Sequence, residues 1–349
     1  MTITQWILFF FIMQAVHFAG TWKLYQKAGR KAWEAAIPVY NGIILMKIIN
    51  RPKWWVILLF VPIVNLIMFP VVWVETLRSF GKNSALDTAL GVLSLGFYIY
   101  YVNYTQDVAH IENRSLHSKN KAGDTVSSIL FAVVVATLVH TYVMQPFNIP
   151  TGSLEKTLLV GDFLFVSKNH YGARTPMTTV AMPMVHDTIP IAHTKSYLNK
   201  PQLPYFRFPG FEDVKKNDIV VFNWPADTVY QFFDRSGRKA DKPIDKKSNY
   251  VKRCVGTPGD VLSIKDGFVY IDGKELKLSE RAKPQFQHTV YASKGISGEL
   301  LKATGSTDFS RTFNVKFASQ DQIDAVQPYV RASSPNQDGS YNIVTGFQG

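Results

Sequence analysis

The chain contains a single cysteine, Cys254, so it cannot form an intrachain disulfide. We interpret this cysteine as a small buried apolar residue, with a regulatory thiol as the alternative. Acidic residues are also scarce, at 26 Asp and Glu against 38 Lys and Arg, which gives a formal net charge of +12. The aromatic and basic signatures of nucleic-acid-binding folds are missing, so we expect no nucleic-acid partner. The simpler interpretation of the positive charge is that basic residues lie beside anionic lipid.

Charged residues are absent from long stretches of the first half of the chain. Uncharged runs of about 20 residues are long enough to span a bilayer. The sequence has four of them, at 2–22, 54–74, 88–106 and 125–145. A shorter run at 35–46 is predicted to be interfacial or re-entrant, with a kinked extra span as the rival. No Lys or Arg precedes the first run, which argues against a cleaved signal peptide.

The loops between these runs predict an orientation in the membrane. The loop at 23–53 holds seven Lys and Arg residues against one acidic residue, and the loop at 107–124 also leans basic. Short basic loops stay in the cytoplasm. We therefore predict that the N-terminus, the loop at 75–87 and everything after residue 145 lie outside. An odd number of spans would reverse the N-terminus but not the second half.

The second half of the chain has no convincing helical periodicity. Short β-branched and aromatic segments at 218–224 and 250–256 are typical of strands. The pairs Asp266-Gly267 and Asp272-Gly273 each lie between such segments and predict hairpin turns. The expected architecture is an α-helical multi-span membrane domain at 1–124, a last span with its lead-in at 125–149, and an all-β exported domain at 150–349 with long insertions.

Ser153 stands in a small-residue turn only a few residues beyond the last predicted span. A serine hydroxyl becomes a useful nucleophile when a neighbouring base takes its proton. The eight histidines are scattered through spans, predicted cytoplasmic loops and exported loops, with no spacing that marks a triad. A histidine-based hydrolase stays open, as does the ordinary interpretation of Ser153 as a helix-cap or turn serine.

Lys252 lies inside a predicted strand rather than in a polar loop. Alternation along the strand places Lys252 on one face with Tyr250 and Cys254, and Arg253 on the opposite face. Two adjacent cations in one strand cannot both face solvent, so one is either paired or neutral. A neutral lysine amine can replace histidine as the base for a serine. A salt bridge made by Lys252 is the alternative.

Three segments, in this order, resemble the boxes of prokaryotic type I signal peptidases, the leader peptidases with a Ser/Lys dyad. The segment IPTGSLEKTLLVGDFLFVSK at 149–168 resembles the family's nucleophile box. The segment NDIVVFNWP at 217–225 resembles the strand that follows it, and YVKRCVGTPGD at 250–260 resembles the family's lysine box. The matched boxes fall within 147–274. The resemblance implies a signal-peptidase-like β fold for the exported domain. It also implies a membrane-bound serine endopeptidase that removes N-terminal signal peptides.

The resemblance also implies roles for individual residues. Ser153 would be the nucleophile and Lys252 its general base, while Thr151 and the backbone N–H of Ser153 would form the oxyanion hole. The substrate would bind as an extended strand with small residues at −3 and −1, as in Ala-x-Ala. The groove for it would be lined by Phe147, Ile149, Pro150, Leu154, Tyr250 and Val251.

The family implies no cofactor and no metal for such an enzyme. Its partners would be signal-peptide-bearing precursors, the lipid bilayer and the secretion machinery. The protein would be an integral, multi-pass protein of the plasma (inner) membrane, with its catalytic domain on the extracytoplasmic side. The segment at 28–68 also looks like a small multi-span domain attached to some signal peptidases.

The sequence departs from the family pattern at three places. Leu154 replaces a methionine, and Lys156 replaces a proline, which leaves a second amine near Ser153 as an alternative base. The family's late Gly-Asp-Asn-x-x-x-Ser-x-Asp-Ser-Arg box is not found before Gly349. A truncated or diverged site, or a non-catalytic relative that acts as a membrane scaffold or precursor-binding protein, is therefore the alternative expectation. A transporter is a third, disfavoured because the spans carry almost no ionisable residue apart from His17 and His140.

Overall fold

The computed structural model describes residues 1–116, 121–154, 156–229, 237–284, 286, 290, 296–304, 310–315, 321–322, 324, 327 and 330–346. The chain divides into two compact units, Met1–Lys283 and Pro284–Gly349. The first unit contains a helical region followed by small antiparallel sheets.

The helical region occupies the first part of the chain. Its helices are α1 (Ile3–Lys27), α2 (Tyr40–Ile48), α3 (Trp55–Leu58), α4 (Val64–Ser79), α5 (Ala85–Leu93), α6 (Tyr98–Thr105) and α7 (Lys121–Tyr142). Thr2 begins α1 with a capping box that includes Gln5, and Ser84 begins α5 in the same way with Asp87. These boxes satisfy backbone N–H groups that a helix start leaves free.

Two of these helices are long and apolar enough to cross a membrane, Ile3–Lys27 and Ala122–Tyr142. They coincide with the predicted runs at 2–22 and 125–145. The predicted span at 88–106 is instead two short helices, α5 and α6, bent by 117°. Leu95 and Gly96 between them have φ angles of 53° and 85°. No right-handed helix continues through two such residues.

The predicted span at 54–74 also differs from the structure. It is divided between the four-residue α3 and the start of α4, with Pro62 in the break and Ile63 at a φ of 70°. Proline removes a backbone donor and clashes with the preceding turn, so the helix stops there. The short run at 35–46 is likewise only partly helical, within α2. Continuous spans are therefore found for two of the four predicted runs in the part of the chain that the structure describes.

The end of α4 lies beside two of the predicted cytoplasmic loops. Glu75 is buried, and its carboxylate is 2.9 Å from Arg51 Nε and 2.6 Å from Arg114 Nη2. Arg51 belongs to the loop at 23–53 and Arg114 to the loop at 107–124. The start of the loop at 75–87 thus contacts two loops that were predicted to lie on the other side of the membrane. The sides assigned to these loops stay predictions.

The helical region has its own apolar core. The largest cluster joins α1, α2, α4 and α6 through fully buried side chains that include Leu24, Tyr25, Ile44, Met46, Leu77 and Val102. Asn103 is also buried there, and its Oδ1 accepts a hydrogen bond of 3.0 Å from the backbone N–H of Leu24. The polar group thus joins α6 to α1 without an unpaired acceptor.

Antiparallel strands follow α7. The strands β1 (Met144–Asn148) and β2 (Phe163–Ser167) pair, as do β3 (Ile219–Asn223) and β4 (Asn249–Arg253). A three-stranded sheet contains β5 (Leu262–Lys265), β6 (Phe268–Ile271) and β7 (Lys274–Glu275). Positive φ angles at both residues of Asp266-Gly267 and of Asp272-Gly273 are those of type I′ turns. The two predicted hairpins are confirmed.

The second unit contains one described helix and one small sheet. The helix is α8 (Gly298–Ala303), and the sheet orders its strands β8-β10-β9, from β8 (Ser310–Val315), β9 (Val330–Pro335) and β10 (Tyr341–Gly346). The predicted all-β character of 150–349 is therefore only partly met. The structure has small separate sheets, long irregular segments and a helix. Cys254, predicted to be buried, is half-buried, and its Sγ is 3.3 Å from the Gly256 carbonyl oxygen.

Candidate active site

Ser153 lies in a single turn of 3-10 helix, Gly152–Leu154, shortly after β1. The backbone is held on both sides of this turn. Before it, the buried Ile149 donates its N–H to Asp162 and accepts from Gly161, both at 2.9 Å. After it, the carbonyl oxygen of Leu154 accepts from Thr157 N–H at 3.0 Å. Ser153 is therefore placed by main-chain bonds rather than by a freely moving loop.

Lys252 reaches this serine from β4. Its Nζ lies 2.6 Å from Ser153 Oγ, although 99 residues separate the two in sequence. This is hydrogen-bonding distance for a nucleophile and its base. Among the residues that the structure describes, Lys252 forms no ion pair with a carboxylate. The salt bridge considered as the alternative is thus not observed there.

The strand register explains why Lys252 points this way. Residue Val220 of β3 is opposite Lys252, and Phe222 is opposite Tyr250, so these four side chains share one face. The Lys252 Nζ is 6.0 Å from the centroid of the Tyr250 ring. The ring of Trp224 lies against the same tyrosine at 5.0 Å between centroids. An aromatic patch therefore borders the Ser153–Lys252 pair, and Trp224 was not predicted to be part of it.

Arg253 points to the other side of β4 and connects it to the serine-bearing segment. Its Nη2 donates to Thr157 Oγ1 at 3.1 Å, and its Nη1 donates to the Asn217 carbonyl oxygen at 2.9 Å. Thr157 in turn donates to the carbonyl oxygen of Arg281 at 3.0 Å. Arg253 and Thr157 thus join β4 to the segment that carries Ser153, and the sequence did not predict this contact. The adjacent Lys-Arg pair was the signal, since only one of the two cations can face Ser153.

The turn that follows β4 is held by Asp260. The Asp260 carboxylate accepts from the Thr257 backbone N–H at 2.6 Å and forms an ion pair with Lys216 at 2.8 Å. The hydrogen bond from Lys216, with that from Thr257, lowers the pKa of Asp260 to about 2. The carboxylate therefore stays ionised well below neutral pH, and its contacts hold the end of β4 in place there.

The remaining predicted residues are only partly gathered around Ser153. Thr151 and Pro150 are exposed beside the turn, and Leu154 and Phe147 are half-buried. Ile149 is 4% exposed, so its side chain belongs to the core. Val251 differs from its predicted place. Alternation in β4 turns its side chain to the face opposite Lys252, where it lines a separate cavity.

Lys156 is exposed and adopts a φ of 69°. Proline is fixed near −65°, so the family's proline would not fit this backbone. Among the described residues, the hydrogen bond to Ser153 Oγ comes from Lys252 and not from Lys156. No group of three or more His, Cys, Asp or Glu side chains that could hold a metal ion occurs within the described ranges.

Comparison with known proteins identifies two regions of similarity. The family model described as "Signal peptidase, peptidase S26" matches residues 122–327. A second model, described as a "Family of unknown function (DUF5684)", matches residues 33–113. No solved structure is significantly similar to this chain.

Several similar curated proteins are named "Signal peptidase I". "Signal peptidase I" of Rickettsia conorii (strain ATCC VR-613 / Malish 7) is 26% identical over 202 residues, which cover 57% of this chain and 60% of the relative. The Rickettsia massiliae (strain Mtu5) protein of the same name gives the same identity and coverage. That of Rickettsia canadensis (strain McKiel) is 28% identical over 153 residues, or 44% of each chain. The chain thus spans about 60% of the length of the first two relatives.

Proposed function

Because the chain belongs to the signal peptidase family S26, we propose that it is a membrane-bound serine endopeptidase that removes N-terminal signal peptides from exported precursors. The observation that carries the proposal is the 2.6 Å distance between Ser153 Oγ and Lys252 Nζ. Both residues are held by main-chain structure, Ser153 by the turn after Ile149 and Lys252 by the β3–β4 ladder.

The pair supports acyl transfer in two steps. Lys252 acts as the base and takes the proton of Ser153 as Oγ attacks the carbonyl carbon of the scissile peptide bond. The oxyanion that forms is stabilised by the backbone N–H of Ser153 and the Thr151 hydroxyl. Lys252 then gives its proton to the departing amine, which leaves an acyl ester on Ser153. A water molecule, deprotonated by Lys252, attacks the ester and releases the carboxyl product and the free serine.

The substrate is proposed to lie extended beside the turn that carries Ser153. The exposed Pro150 and half-buried Leu154 lie next to the serine, and the Tyr250–Trp224 pair borders the lysine. Apolar surface beside an accessible nucleophile suits a short apolar segment of a signal peptide. The preference for small −3 and −1 residues of the Ala-x-Ala type is carried over from the family.

The contacts of α1 and α7 support an orientation with two crossing helices. Near the start of α1, Trp6 Nε1 donates to the Gln202 carbonyl oxygen at 3.0 Å, so the N-terminus shares a side with the region after α7. At the other end, Lys27 Nζ donates to the Gln106 carbonyl oxygen at 2.8 Å, ahead of α7. In this orientation α1 and α7 cross the plasma membrane, so that 1–124 forms the membrane domain, 125–149 the last crossing with its lead-in, and 150–349 lies outside. The bent α5–α6 pair then returns to the cytoplasmic side.

This orientation can be tested by labelling in intact cells. In a Cys254→Ser background, the exposed Asn83 would be replaced by cysteine and treated with an impermeant maleimide. We expect labelling only after the cells are opened, because residue 83 follows the cytoplasmic end of α4. The exposed Asp213→Cys variant should be labelled in intact cells. Labelling of the Asn83→Cys variant in intact cells would instead favour four crossings.

The chemistry can be tested with a serine-reactive probe. A peptidyl phosphonate ending in Ala-x-Ala would be added to the full chain in detergent, and the modified residue identified by mass spectrometry. We expect a phosphonyl adduct on Ser153 that Ser153→Ala abolishes and Lys252→Met slows strongly. Lys156→Met should label at the wild-type rate. A folded sample that remains unlabelled at Ser153 would favour a precursor-binding protein without peptidase activity.

A further inference from the structure

A cavity of about 820 Å³ lies on the other side of the β3–β4 ribbon from Lys252. The ribbon residues that share this face, and that line the cavity, are Ile219, Val221, Asn223, Asn249 and Val251. The cavity also reaches Thr141 at the end of α7 and Gln145 in β1. Phe222 of the opposite ribbon face also borders the cavity, but neither Ser153 nor Lys252 lines it, so this space is separate from the Ser153–Lys252 pair.

The charges that line the cavity are unbalanced. Four cationic side chains border it, against a single carboxylate, that of Asp245; the cations are Lys168, Arg174, Arg207 and Lys246. Both oxygens of Asp245 are already occupied. One accepts from the backbone N–H groups of Met177 and Thr178 at 3.0 and 2.8 Å, and the other from the Thr178 hydroxyl at 2.7 Å. The carboxylate therefore holds the neighbouring loop, and its charge offsets only part of the positive charge of Arg174 and Lys246.

The two arginines are placed directly opposite each other. Arg174 and Arg207 are partners in an isolated antiparallel bridge within the insertion that follows β2. Like charges in such a cross-strand pair are destabilising. Arg174 Nη2 donates to Asn223 Oδ1 at 2.7 Å, and Arg207 Nη1 donates to the Gly172 carbonyl oxygen at 2.7 Å. These acceptors are neutral, and neither arginine is ion-paired among the residues that the structure describes.

Lys168 completes the group at the end of β2. Its Nζ donates to Gln145 Oε1 at 2.7 Å, again a neutral acceptor. Burial, with repulsion from Arg174 and Arg207, lowers the pKa of Lys168 to about 8. The three cations are thus near enough to disfavour one another's charge, and each keeps N–H donors beyond those already used. An arrangement of this kind is stabilised by an anion that several of these donors can share.

The chemistry of the donors indicates which anion fits. Guanidinium groups present planar, paired donors that match the oxygens of phosphate, and a lysine adds a point charge. Thr141 and Gln145 line the cavity at the end of a helix that is long and apolar enough to cross a membrane, and lipid headgroups would lie at that end if the helix crosses. We propose that the cavity binds a phosphate group between Lys168, Arg174 and Arg207, supplied by the headgroup of an anionic phospholipid or by free phosphate.

The proposal can be tested by binding measurements that do not depend on peptidase activity. The full chain, in phosphate-free detergent, would be mixed with phosphatidylglycerol or with zwitterionic phosphatidylcholine and examined by native mass spectrometry. In parallel, its thermal unfolding would be followed during a titration with inorganic phosphate. We expect specific phosphatidylglycerol adducts, and binding weakened on the order of tenfold or more by Arg174→Gln with Arg207→Gln. The matched control replaces two exposed lysines outside the cavity, Lys274→Gln with Lys277→Gln.

The outcomes separate the two sources. Adducts with phosphatidylglycerol and no response to inorganic phosphate would support the lipid headgroup. A rise in the unfolding temperature with inorganic phosphate would support free phosphate, provided that the arginine variant abolishes it. Lys168→Met leaves the Arg174–Arg207 bridge in place and should also weaken binding, so it serves if the double variant does not fold. The proposal is overturned if the wild type binds neither probe, or if the arginine variant binds as tightly as the lysine control.

Discussion

Two groups of cations, one in the helical region and one in the strand-containing region, have different kinds of partner, although each region also contains cations of the other kind. In the helical region, three arginines surround one buried carboxylate, and Arg51, Arg78 and Arg114 lie 2.9, 3.7 and 2.6 Å from Glu75. In the strand-containing region, Lys252 meets a serine hydroxyl. The group formed by Lys168, Arg174 and Arg207 meets only neutral acceptors in the part of the chain that is described.

The difference distinguishes an ion-pair network that is compensated within the fold from cations that have no carboxylate partner. Glu75 ties together segments that are distant in sequence, and its charge is compensated within the fold. Cations that lack a carboxylate cost free energy in the resting protein. Such groups concentrate where a reaction or a ligand makes use of them. This contrast agrees with the proposals that Lys252 acts as a base and that the cavity group binds an anion, and it leads us to expect that the Glu75 network contributes to stability.

Of the variants proposed here, those that replace Lys252 should have the largest effect on the rate of precursor cleavage. Lys252→Met keeps an unbranched side chain but removes the base, and we expect the rate of precursor cleavage to fall by about 10³-fold. The rate would be measured with a synthetic precursor under single-turnover conditions. Lys156→Met, which removes the other nearby amine, should remain close to wild type. An equal loss of cleavage rate in both variants would contradict the assignment of Lys252 as the base.

Replacing Glu75 tests the structural side of the comparison. Glu75→Gln leaves three arginines without their counter-charge, and we expect the free energy of unfolding to fall by about 3 kcal/mol. The change would be measured by chemical denaturation in detergent. Asp107→Asn removes an exposed carboxylate as the control and should have little effect. If Glu75→Gln leaves the free energy of unfolding unchanged, this network does not hold the loops together.

The Thr151 hydroxyl offers a sharper test of the site. Thr151→Val keeps the shape and removes one donor to the oxyanion, so kcat should fall by about 10²-fold with little change in KM. Thr151→Ser keeps the hydroxyl and should retain most of the activity. The two variants would be compared in steady-state cleavage of the same precursor. A valine variant with normal kcat would remove Thr151 from the oxyanion hole.

The smallest effect concerns the pH dependence of stability. The pKa of Lys168 in the folded protein is lowered from 10.5 to about 8, so this lysine binds its proton less tightly when folded than when unfolded. Its destabilising effect is full below pH 8 and disappears as the pH rises from 8 to 10.5. Without phosphate or anionic lipid, Lys168→Met should therefore be more stable than wild type at pH 7, by about 1 kcal/mol after solvent screening.

Thermal unfolding across this pH range would check the prediction for Lys168. The stability advantage of the Lys168→Met variant over the wild type should shrink as the pH approaches 10.5. Addition of inorganic phosphate at pH 7 should shrink it as well, if the cavity binds that anion. If the stability difference between the variant and the wild type is constant with pH, the pKa of Lys168 is not lowered in the folded protein.

Local patterns in the sequence account for part of this structure. Alternation in the strand at 250–256 predicted that Lys252 and Arg253 point to opposite faces, and the ladder confirms this. The Asp-Gly pairs predicted both hairpins because few other residues tolerate positive φ at successive positions. The helices at Ile3–Lys27 and Ala122–Tyr142 follow from their uninterrupted apolar length.

Other features depend on contacts that no local pattern records. Hydropathy counts apolar residues but cannot show that the chain breaks at Ile63 and Leu95, where φ is positive. The position of the loop after α4 depends on the Glu75 network, which joins three distant segments. The Arg174–Arg207 bridge forms between irregular strands of a long insertion, so the cavity could not be predicted. The roles of Thr151 and of the substrate groove stay predictions.

The most direct test of the account is cleavage of a precursor by the detergent-solubilised chain. A precursor with Ala-x-Ala before the cleavage site would be incubated with the wild type, Ser153→Ala and Lys252→Ala, and the products read by mass spectrometry. The account predicts a single cut after the −1 alanine, made by the wild type and by neither variant. A folded wild type that leaves the precursor intact, or a Lys252→Ala variant that cuts at the normal rate, would contradict it.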